Sequence, residues 1–472
     1  MTTTDNLIKF GTEGWRGIIA EDFTFDNVRI VSQAIADYLN KVSGNQKDRN
    51  SSVVIGYDNR FMSGKFADVV GEVFSKNHFS VIISDKSLTT PNLCYAVRSK
   101  ECAIGIMITA SHNPPKFNGL KIKASYGGPI PGWVAEEIEK NIKGEKIETG
   151  GYPAETLGKE NLKDAYLEYL KLSVDFNTIK KIKQKIVVDY MHGSGIGYFE
   201  ELIPLENLIT LKNNPDPMFD NTSPEPIEKN LGLLKRSVLK KKAIIGIALD
   251  GDGDRVGIID DRGRYLPPHI IFPLLLYYLV KYKKLSGKVV QTISLGYLSE
   301  RIAKRNALEF EETPVGFKNI CEKMLKEKIL IGGEESGGYA AINSELPDRD
   351  GILSALIILE MLGHTGKKIS VLVDELQKEF GKSYFLREDT KISKIIFDKQ
   401  DFVKKIAVPD KILSLKVREV RDYDGLKIIF SDDSWLLIRP SGTEPLVRIY
   451  SETPSKEKSQ KLINYGRKLV MA

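Results

Sequence analysis

The chain of 472 residues has only three cysteines, Cys94, Cys102 and Cys321, widely spaced and odd in number. That count argues against a disulfide framework and fits a reducing, cytoplasmic setting, in which the Asn221-Thr222-Ser223 sequon is idle. Long apolar runs are missing as well: none approaches the about 20 residues of a membrane span, and the opening MTTTDNLIKF is no signal peptide. Charge of one sign is also scarce. The net charge of +6 is the remainder of 69 basic and 63 acidic residues, so neither nucleic acid nor a membrane surface is an expected partner, and a small anionic substrate is.

Composition is that of a soluble globular protein, with 42% hydrophobic and 28% charged residues. The length suggests roughly three or four domains. Apolar runs at Val53 to Tyr57, Val81 to Ser84 and Ile104 to Thr109 alternate with helical periodicity at Asn27 to Leu39 and Phe66 to Lys76, which reads as βα units around a largely parallel sheet. The alternation recurs around Lys185 to Tyr190, Leu205 to Leu211 and Ala243 to Asp250, and again around Lys288 to Ser294, Leu308 to Glu311 and Ile329 to Gly332. The last hundred or so residues differ: five strand-like runs and two helical ones predict an antiparallel α+β cap, the natural moving part. The fold class expected is therefore α/β, with boundaries near 153, 258 and 372. Residues 1–153, 154–258 and 259–372 would be similar α/β domains with mixed, largely parallel sheets, and 373–472 a smaller α+β domain, around a central cleft.

Each α/β block contains one apolar strand that runs directly into a polar loop. The first loop is Thr109-Ala110-Ser111-His112-Asn113-Pro114-Pro115. A strand end presents its serine rather than burying it, and the prolines restrict the backbone that follows. Ser111 and His112 are chain neighbours whose side chains point in different directions, so they are not expected to pair as nucleophile and base, and acyl transfer is disfavoured.

The second loop, Asp250-Gly251-Asp252-Gly253-Asp254-Arg255, repeats a carboxylate at every second residue. In an extended segment this would place the acids on one side, a hard-oxygen set suited to Mg2+. An EF-hand is excluded, because Arg255 and Asp261 stand where glycine and glutamate would be needed. The third loop, Gly333-Glu334-Glu335-Ser336-Gly337-Gly338, offers carboxylates and a hydroxyl for sugar hydroxyl groups. Arg439-Pro440-Ser441-Gly442-Thr443-Glu444-Pro445, with Arg448 beyond, has the parts of a phosphate cradle but not a Walker lysine. Lys318 and Arg16 are further cations for a phosphate. His192-Gly193-Ser194-Gly195 mimics a dinucleotide turn, but Tyr198 occupies the third glycine position, so no such cofactor is expected.

In this order the four loops resemble those of the α-D-phosphohexomutases, the phosphoglucomutases and phosphomannomutases, over essentially the whole chain. The resemblance implies an isomerase, an intramolecular phosphotransferase interconverting hexose 1-phosphate and hexose 6-phosphate through a phosphoserine and a 1,6-bisphosphate. It makes Ser111 the phosphorylated serine, with Asp250, Asp252 and Asp254 as Mg2+ ligands and a phosphoserine oxygen completing the site. His112, Arg16, Lys121 and Arg255 would surround the transferring group. Glu334 and Ser336 would hold sugar hydroxyls, with Lys318 contacting substrate. Arg439, Ser441, Gly442, Thr443 and Arg448 would bind the non-reacting phosphate. One Mg2+ and glucose 1,6-bisphosphate are the implied cofactors, and a monomer or homodimer the assembly. Gly338 stands where many phosphomannomutases and phosphoglucosamine mutases carry histidine, which points to glucose. Mannose, glucosamine or pentose phosphates are the alternative substrates, and a non-catalytic sugar-phosphate sensor the alternative function.

Overall fold

A computed structural model describes residues 8–11, 13–43, 52–142, 157–341, 345–396, 398–442 and 445–471. It divides into two compact units, the first made of Met1–Leu266, Cys321–Lys326 and Gly337–Ile369, the second of Pro267–Ile320, Glu327–Ser336 and Ser370–Ala472.

The first unit holds two mixed sheets. In one, β1 (Gly14–Ile18), β2 (Ser52–Tyr57), β3 (Ser80–Ser84), β4 (Ile104–Ile108), β5 (Phe117–Ala124) and β6 (Lys159–Glu160) lie in the order β1-β5-β4-β2-β3-β6. β4, β2, β3 and β6 run parallel, while β5 returns antiparallel beside β4. The parallel strands are continuous apolar runs, SVVIGY and IGIMI, because helices such as Phe25–Ser43, Ser63–Lys76 and Thr90–Ser99 cover the sheet. Phe23, Phe66, Val70, Phe74 and Ile106 are among the side chains of its core.

The second sheet repeats the plan with β7 (Ile186–Asp189), β8 (Leu208–Leu211), β9 (Ile245–Leu249), β10 (Val256–Asp260) and β11 (Tyr265–Leu266), ordered β11-β10-β9-β7-β8. Again an all-buried strand, β9, parallel to β7, is followed by an antiparallel neighbour, β10. Ser111 lies in the β4–β5 connection and Asp250 to Arg255 in the β9–β10 connection, so both polar loops are hairpin turns that leave the buried strand of a sheet.

In the second unit β12 (Lys288–Thr292), β13 (Phe310–Thr313) and β14 (Ile329–Gly333) are parallel, with β12 central. The Glu334 loop follows β14, and the short β15 (Tyr339–Ala341) lies beyond it in the first unit. The last sheet is wholly antiparallel, with β16 (Tyr384–Lys391), β17 (Lys411–Ile412), β18 (Leu415–Arg421), β19 (Leu426–Phe430), β20 (Trp435–Pro440) and β21 (Leu446–Thr453) in the order β16-β21-β20-β19-β18-β17. The helix Lys456–Met471 packs Leu462 and Ile463 on Ile438 and Ile449. The α/β class with mixed, largely parallel sheets and an antiparallel C-terminal sheet is thus observed. No helix among the described residues is long and apolar enough to cross a membrane.

Candidate active site

Ser111 has φ of 53°, a left-handed conformation that a side-chain-bearing residue adopts only when its surroundings hold it there. The residue is not presented, as a strand end would suggest, but is only 1% exposed. The left-handed turn folds it back onto the aspartate hairpin, and a Cβ on Gly251 would stand 2.5 Å from its carbonyl oxygen. Ser111 Oγ donates to Asp250 Oδ2 at 3.0 Å. The same turn brings Ser111 Oγ to 3.4 Å from His112 Nδ1, so the two neighbours do meet, contrary to the extended-chain expectation.

One guanidinium holds this loop. Arg60 Nη1 donates to the carbonyls of Pro114 and Phe117, each at 2.9 Å, and Nη2 to those of Ser111 and Asn113, each at 2.6 Å. Arg60 is fixed in turn by Asp58, 3.2 Å from its Nε, and Thr109 Oγ1 ties Asp58 to the serine loop at 2.6 Å. On the other side Arg16 Nη1 donates to Asn113 Oδ1 at 2.6 Å.

The aspartates lie on a hairpin turn, with Gly253 at φ of 70°, not along an extended segment. They are nonetheless convergent: Asp250, Asp252 and Asp254 are all buried and place oxygens within 4.8 Å of one another. Lys121 Nζ donates to Asp252 Oδ2 at 2.7 Å and Asp254 Oδ2 at 2.9 Å, and lies 3.5 Å from Glu13. Burial disfavours its charge, but these carboxylates outweigh that and raise its pKa. Burial, followed by Asp254 and Asp252, pushes the Asp250 carboxyl well above the usual range. Burial also opposes ionisation of Asp252 and Asp254, yet Lys121 holds Asp252 well below it, and Arg349 with Lys121 does the same for Asp254. Burial, with Arg255 and Arg16 nearby, keeps the His112 imidazole neutral.

Asp252 Oδ1 and Asp254 Oδ1 are buried and accept no hydrogen bond. Two orphaned carboxylate oxygens beside a third acid forced toward protonation are what a hard divalent cation would satisfy, so this donor set fits Mg2+. The helix Gly351–Thr365 supports the turn: its first amide, Gly351 N, donates to Gly253 O at 3.2 Å. Its positive end also favours the neighbouring carboxylates. Arg349 Nη2 donates to Asp254 Oδ2 at 2.9 Å and also to Glu13.

In the second unit a separate cluster forms around residues 315–316. Gly316 N donates to Glu334 Oε1 at 3.1 Å, and Ser336 Oγ to Glu334 Oε2 at 3.4 Å. Val315 N donates to Asp424 Oδ2 at 2.8 Å, and Arg439 Nε to the same oxygen at 2.8 Å. The sugar-loop and phosphate-loop residues are thereby joined through adjacent amides, with Lys318 in the first turn of the helix that follows, Phe317–Met324. Glu334 and Glu335 do not act as a pair, because Glu335 turns to Arg387 at 2.8 Å. Arg439 and Arg448 are cross-strand partners on β20 and β21. Like charges directly opposed are unfavourable, and an anion between them relieves the repulsion. Ser441 is buried beside them, and among the described residues, chain neighbours aside, no atom lies within 4 Å of a Cβ placed on Gly442. Thr443 lies outside the described residues.

Family comparisons agree along the chain. Models described as phosphoglucomutase/phosphomannomutase match it as alpha/beta/alpha domain I over residues 7–148, domain II over 164–263, domain III over 267–380, and the C-terminal domain over 403–464. A phosphoglucomutase/phosphomannomutase of Thermococcus kodakarensis is 32% identical over 466 residues, 98% of each chain. The chain belongs to the phosphoglucomutase/phosphomannomutase family, the α-D-phosphohexomutases. A phosphoglucosamine/phosphogalactosamine mutase of Sulfurisphaera tokodaii is 31% identical over 474 residues, again 98% of each chain. A crystal structure from Thermus thermophilus, provisionally named a phosphomannomutase, superposes with a TM-score of 0.86 at 32% identity, covering 98% of this chain and 99% of the other.

The phosphohexomutase is therefore an enzyme, a phosphomutase of the intramolecular phosphotransferase type. Of the residues expected from sequence, Ser111, His112, Arg16, Lys121, Asp250, Asp252, Asp254 and Arg255 all belong to the first unit, where Arg255 N donates to Asp250 Oδ1 at 3.1 Å. Lys318, Glu334, Ser336, Arg439, Ser441, Gly442 and Arg448 belong to the second. Sequence reasoning missed Arg60, Glu13, Arg349 and Asp424. Glu13 lies inside GTEGWRG and Arg60 follows the β2 strand end, a fourth strand-to-polar-loop junction, so both had a signal. Arg349 and Asp424 had none.

Proposed function

We propose that this phosphohexomutase interconverts glucose 1-phosphate and glucose 6-phosphate through a phosphoserine at Ser111 and a 1,6-bisphosphate. The observation that carries the reading is the 3.0 Å hydrogen bond from Ser111 Oγ to Asp250, made inside a buried triad of aspartates flanked by Lys121 and Arg349. A hydroxyl so placed is equipped for phosphoryl transfer, which needs positioning and charge neutralisation more than nucleophile activation.

In the first half-reaction the bond from phosphorus to Ser111 Oγ breaks as one forms to the sugar 6-oxygen, whose proton passes to a base. In the second, the 1-phosphoryl group moves to Ser111 Oγ and the sugar 1-oxygen regains a proton. His112, with a neutral ring 3.4 Å from Ser111 Oγ, is the candidate base, while Lys121, held protonated by Asp252, Asp254 and Glu13, offers charge rather than a lone pair. Arg16 and Arg255 offer charge to the transferring group. Mg2+, held by Asp250, Asp252, Asp254 and a phosphoserine oxygen, would withdraw negative charge from the phosphoryl oxygens. Glu334, Ser336 and Lys318 are assigned to the sugar, and Arg439, Ser441, Gly442, Thr443 and Arg448 to the phosphate that does not react. Bound glucose 1,6-bisphosphate recharges the serine. Domains divided near 153, 258 and 372, a monomer or homodimer, and a cytoplasmic location belong to the same reading.

Glucose is assigned because glycine, not histidine, ends the sugar loop at Gly338. The second reading is an amino sugar, favoured by the Sulfurisphaera tokodaii relative and its name. Comparing kcat/KM for the 1-phosphates of glucose, mannose, glucosamine and a pentose, with Mg2+ and catalytic bisphosphate, tests both. Glucose 1-phosphate should lead; a higher value for glucosamine 1-phosphate would replace the first reading with the second.

A further inference from the structure

His192-Gly193-Ser194-Gly195 is assigned no reacting group in the proposed phosphoryl transfer, yet it carries a second convergent group. His192 is 5% exposed, and its Nδ1 lies 2.8 Å from the Asn214 carbonyl oxygen. A carbonyl only accepts, so Nδ1 bears the hydrogen. The opposite nitrogen, Nε2, is buried without a hydrogen-bond partner and stands 3.1 Å from Asp220 Oδ2. A lone pair on that nitrogen would face a carboxylate, a repulsion that either a proton on Nε2 or a cation shared with Asp220 relieves.

Asp216 completes the group: ligand atoms of His192, Asp216 and Asp220 all lie within 4.8 Å of one another. Asp216 is itself held in place by the amides of Met218 and Asp220, each at 2.9 Å. Lys212 Nζ approaches Asp220 Oδ2 at 3.8 Å, and buried Asp189, whose Oδ2 accepts no hydrogen bond, adds further negative potential. The acids outnumber the lysine. A nitrogen donor with carboxylates suits a first-row transition cation, whereas Mg2+ selects oxygen alone. Ligand edges at a tetrahedral cation with bonds of about 2.1 Å are about 3.4 Å, between the 3.1 Å from His192 Nε2 to Asp220 Oδ2 and the 4.8 Å that bounds the other edges, so binding would draw the Asp216 carboxylate in.

We propose that His192 Nε2, Asp216 and Asp220 bind a divalent transition cation of the Zn2+ kind, at a site separate from the Mg2+ carboxylates, and that this cation fixes the segment 212–221 against Arg60. The connection is physical. Phe219, between the acids, presents its ring 5.0 Å from the Arg60 guanidinium carbon, and Asn59 Nδ2 donates to the carbonyls of His192 and Gly193 at 2.9 Å each. Arg60 in turn binds four carbonyls of the Ser111 loop. The site's occupancy therefore bears on how firmly the phosphate-carrying serine is held.

The test titrates full-length protein, saturated with Mg2+, with Co2+ followed by its visible d–d absorption. One equivalent should bind, and Asp220→Asn and His192→Gln should each weaken it by roughly tenfold or more. Zn2+ should raise the thermal midpoint of the wild type but not of Asp220→Asn, whose exposed position makes a folding failure no explanation. The proposal is overturned if no Co2+ binds under these conditions. It is overturned equally if Asp252→Asn, and not Asp220→Asn, removes the bound Co2+, or if His192 stays an imidazolium by NMR with Zn2+ present, leaving only an ion pair to Asp220.

Discussion

Arg349 occupies the space that any side chain at Gly338 would need: a Cβ there would stand 2.1 Å from the Arg349 Cδ. The arginine cannot simply swing aside, because its guanidinium is bound to Asp254 and Glu13. Gly338→Ala should therefore act on the aspartate turn, not only on the sugar loop. The expected outcome is a fall in kcat/KM of roughly tenfold or more together with a lower thermal midpoint, since breaking a buried ion pair costs about 3–5 kcal/mol. Unchanged values for both would show that Arg349 is not constrained.

Ser111→Ala removes the proposed phosphate carrier while leaving Arg60 its carbonyl acceptor. Turnover should be abolished and binding of glucose 1-phosphate retained, measured by coupled assay and calorimetry. Intact mass of the wild type incubated with glucose 1,6-bisphosphate should show one added phosphoryl group that the variant lacks. Wild-type turnover by Ser111→Ala would remove the central assignment.

Chelation should eliminate activity and Mg2+ should restore it. Asp252→Asn should raise the Mg2+ requirement by roughly 10- to 100-fold, because it takes away a charged ligand and a partner of Lys121 together. Full activity in excess chelator would contradict the metal assignment.

Arg448→Ala is the cleaner probe of the phosphate cradle, since Arg439 also anchors Asp424. Loss of one guanidinium fork should raise KM for hexose phosphate roughly tenfold, about 1.4 kcal/mol, with a smaller change in kcat. An unaltered KM would take Arg448 out of the site.

Glu452 provides a stability prediction with a definite sign. Burial pushes its carboxyl up to about 7 from the usual 4.5, despite hydrogen bonds from Ser383, Tyr297 N and Trp435 Nε1. The folded state thus holds the proton more tightly than the unfolded chain. Its stabilising contribution is complete below about pH 4.5 and is lost as pH rises through about 7. The loss is at most about 3 kcal/mol, at 1.36 kcal/mol per pH unit. Glu452→Gln should flatten urea-unfolding stability between about pH 4 and about pH 8, which bracket the usual 4.5 and the raised value of about 7. An equal slope in variant and wild type would exclude Glu452 as its source.

The architecture was legible because each buried strand is an apolar run ended by a polar loop: IGIMI, IGIAL and ILIGG each precede a turn that carries proposed site residues. What those turns do in space was not. A single positive φ at Ser111 converts a presented serine into a buried one and turns it toward His112, and no residue-type pattern announces a left-handed serine. Glu13 and Arg349 are 336 residues apart in sequence, so their pairing leaves no local periodicity to detect. The same holds for Asp424, recognisable only once Val315 and Arg439 are seen to share its oxygen.

The proposed roles divide between the two compact units. Ser111, Lys121, the aspartate turn and Arg349 belong to one, while Lys318, Glu334, Ser336, Arg439 and Arg448 belong to the other. Under the proposed roles, drift in the second unit can alter which sugar is accepted while the inherited phosphoryl machinery stays intact. Such a lineage diversifies by exchanging its reader and keeping its pen.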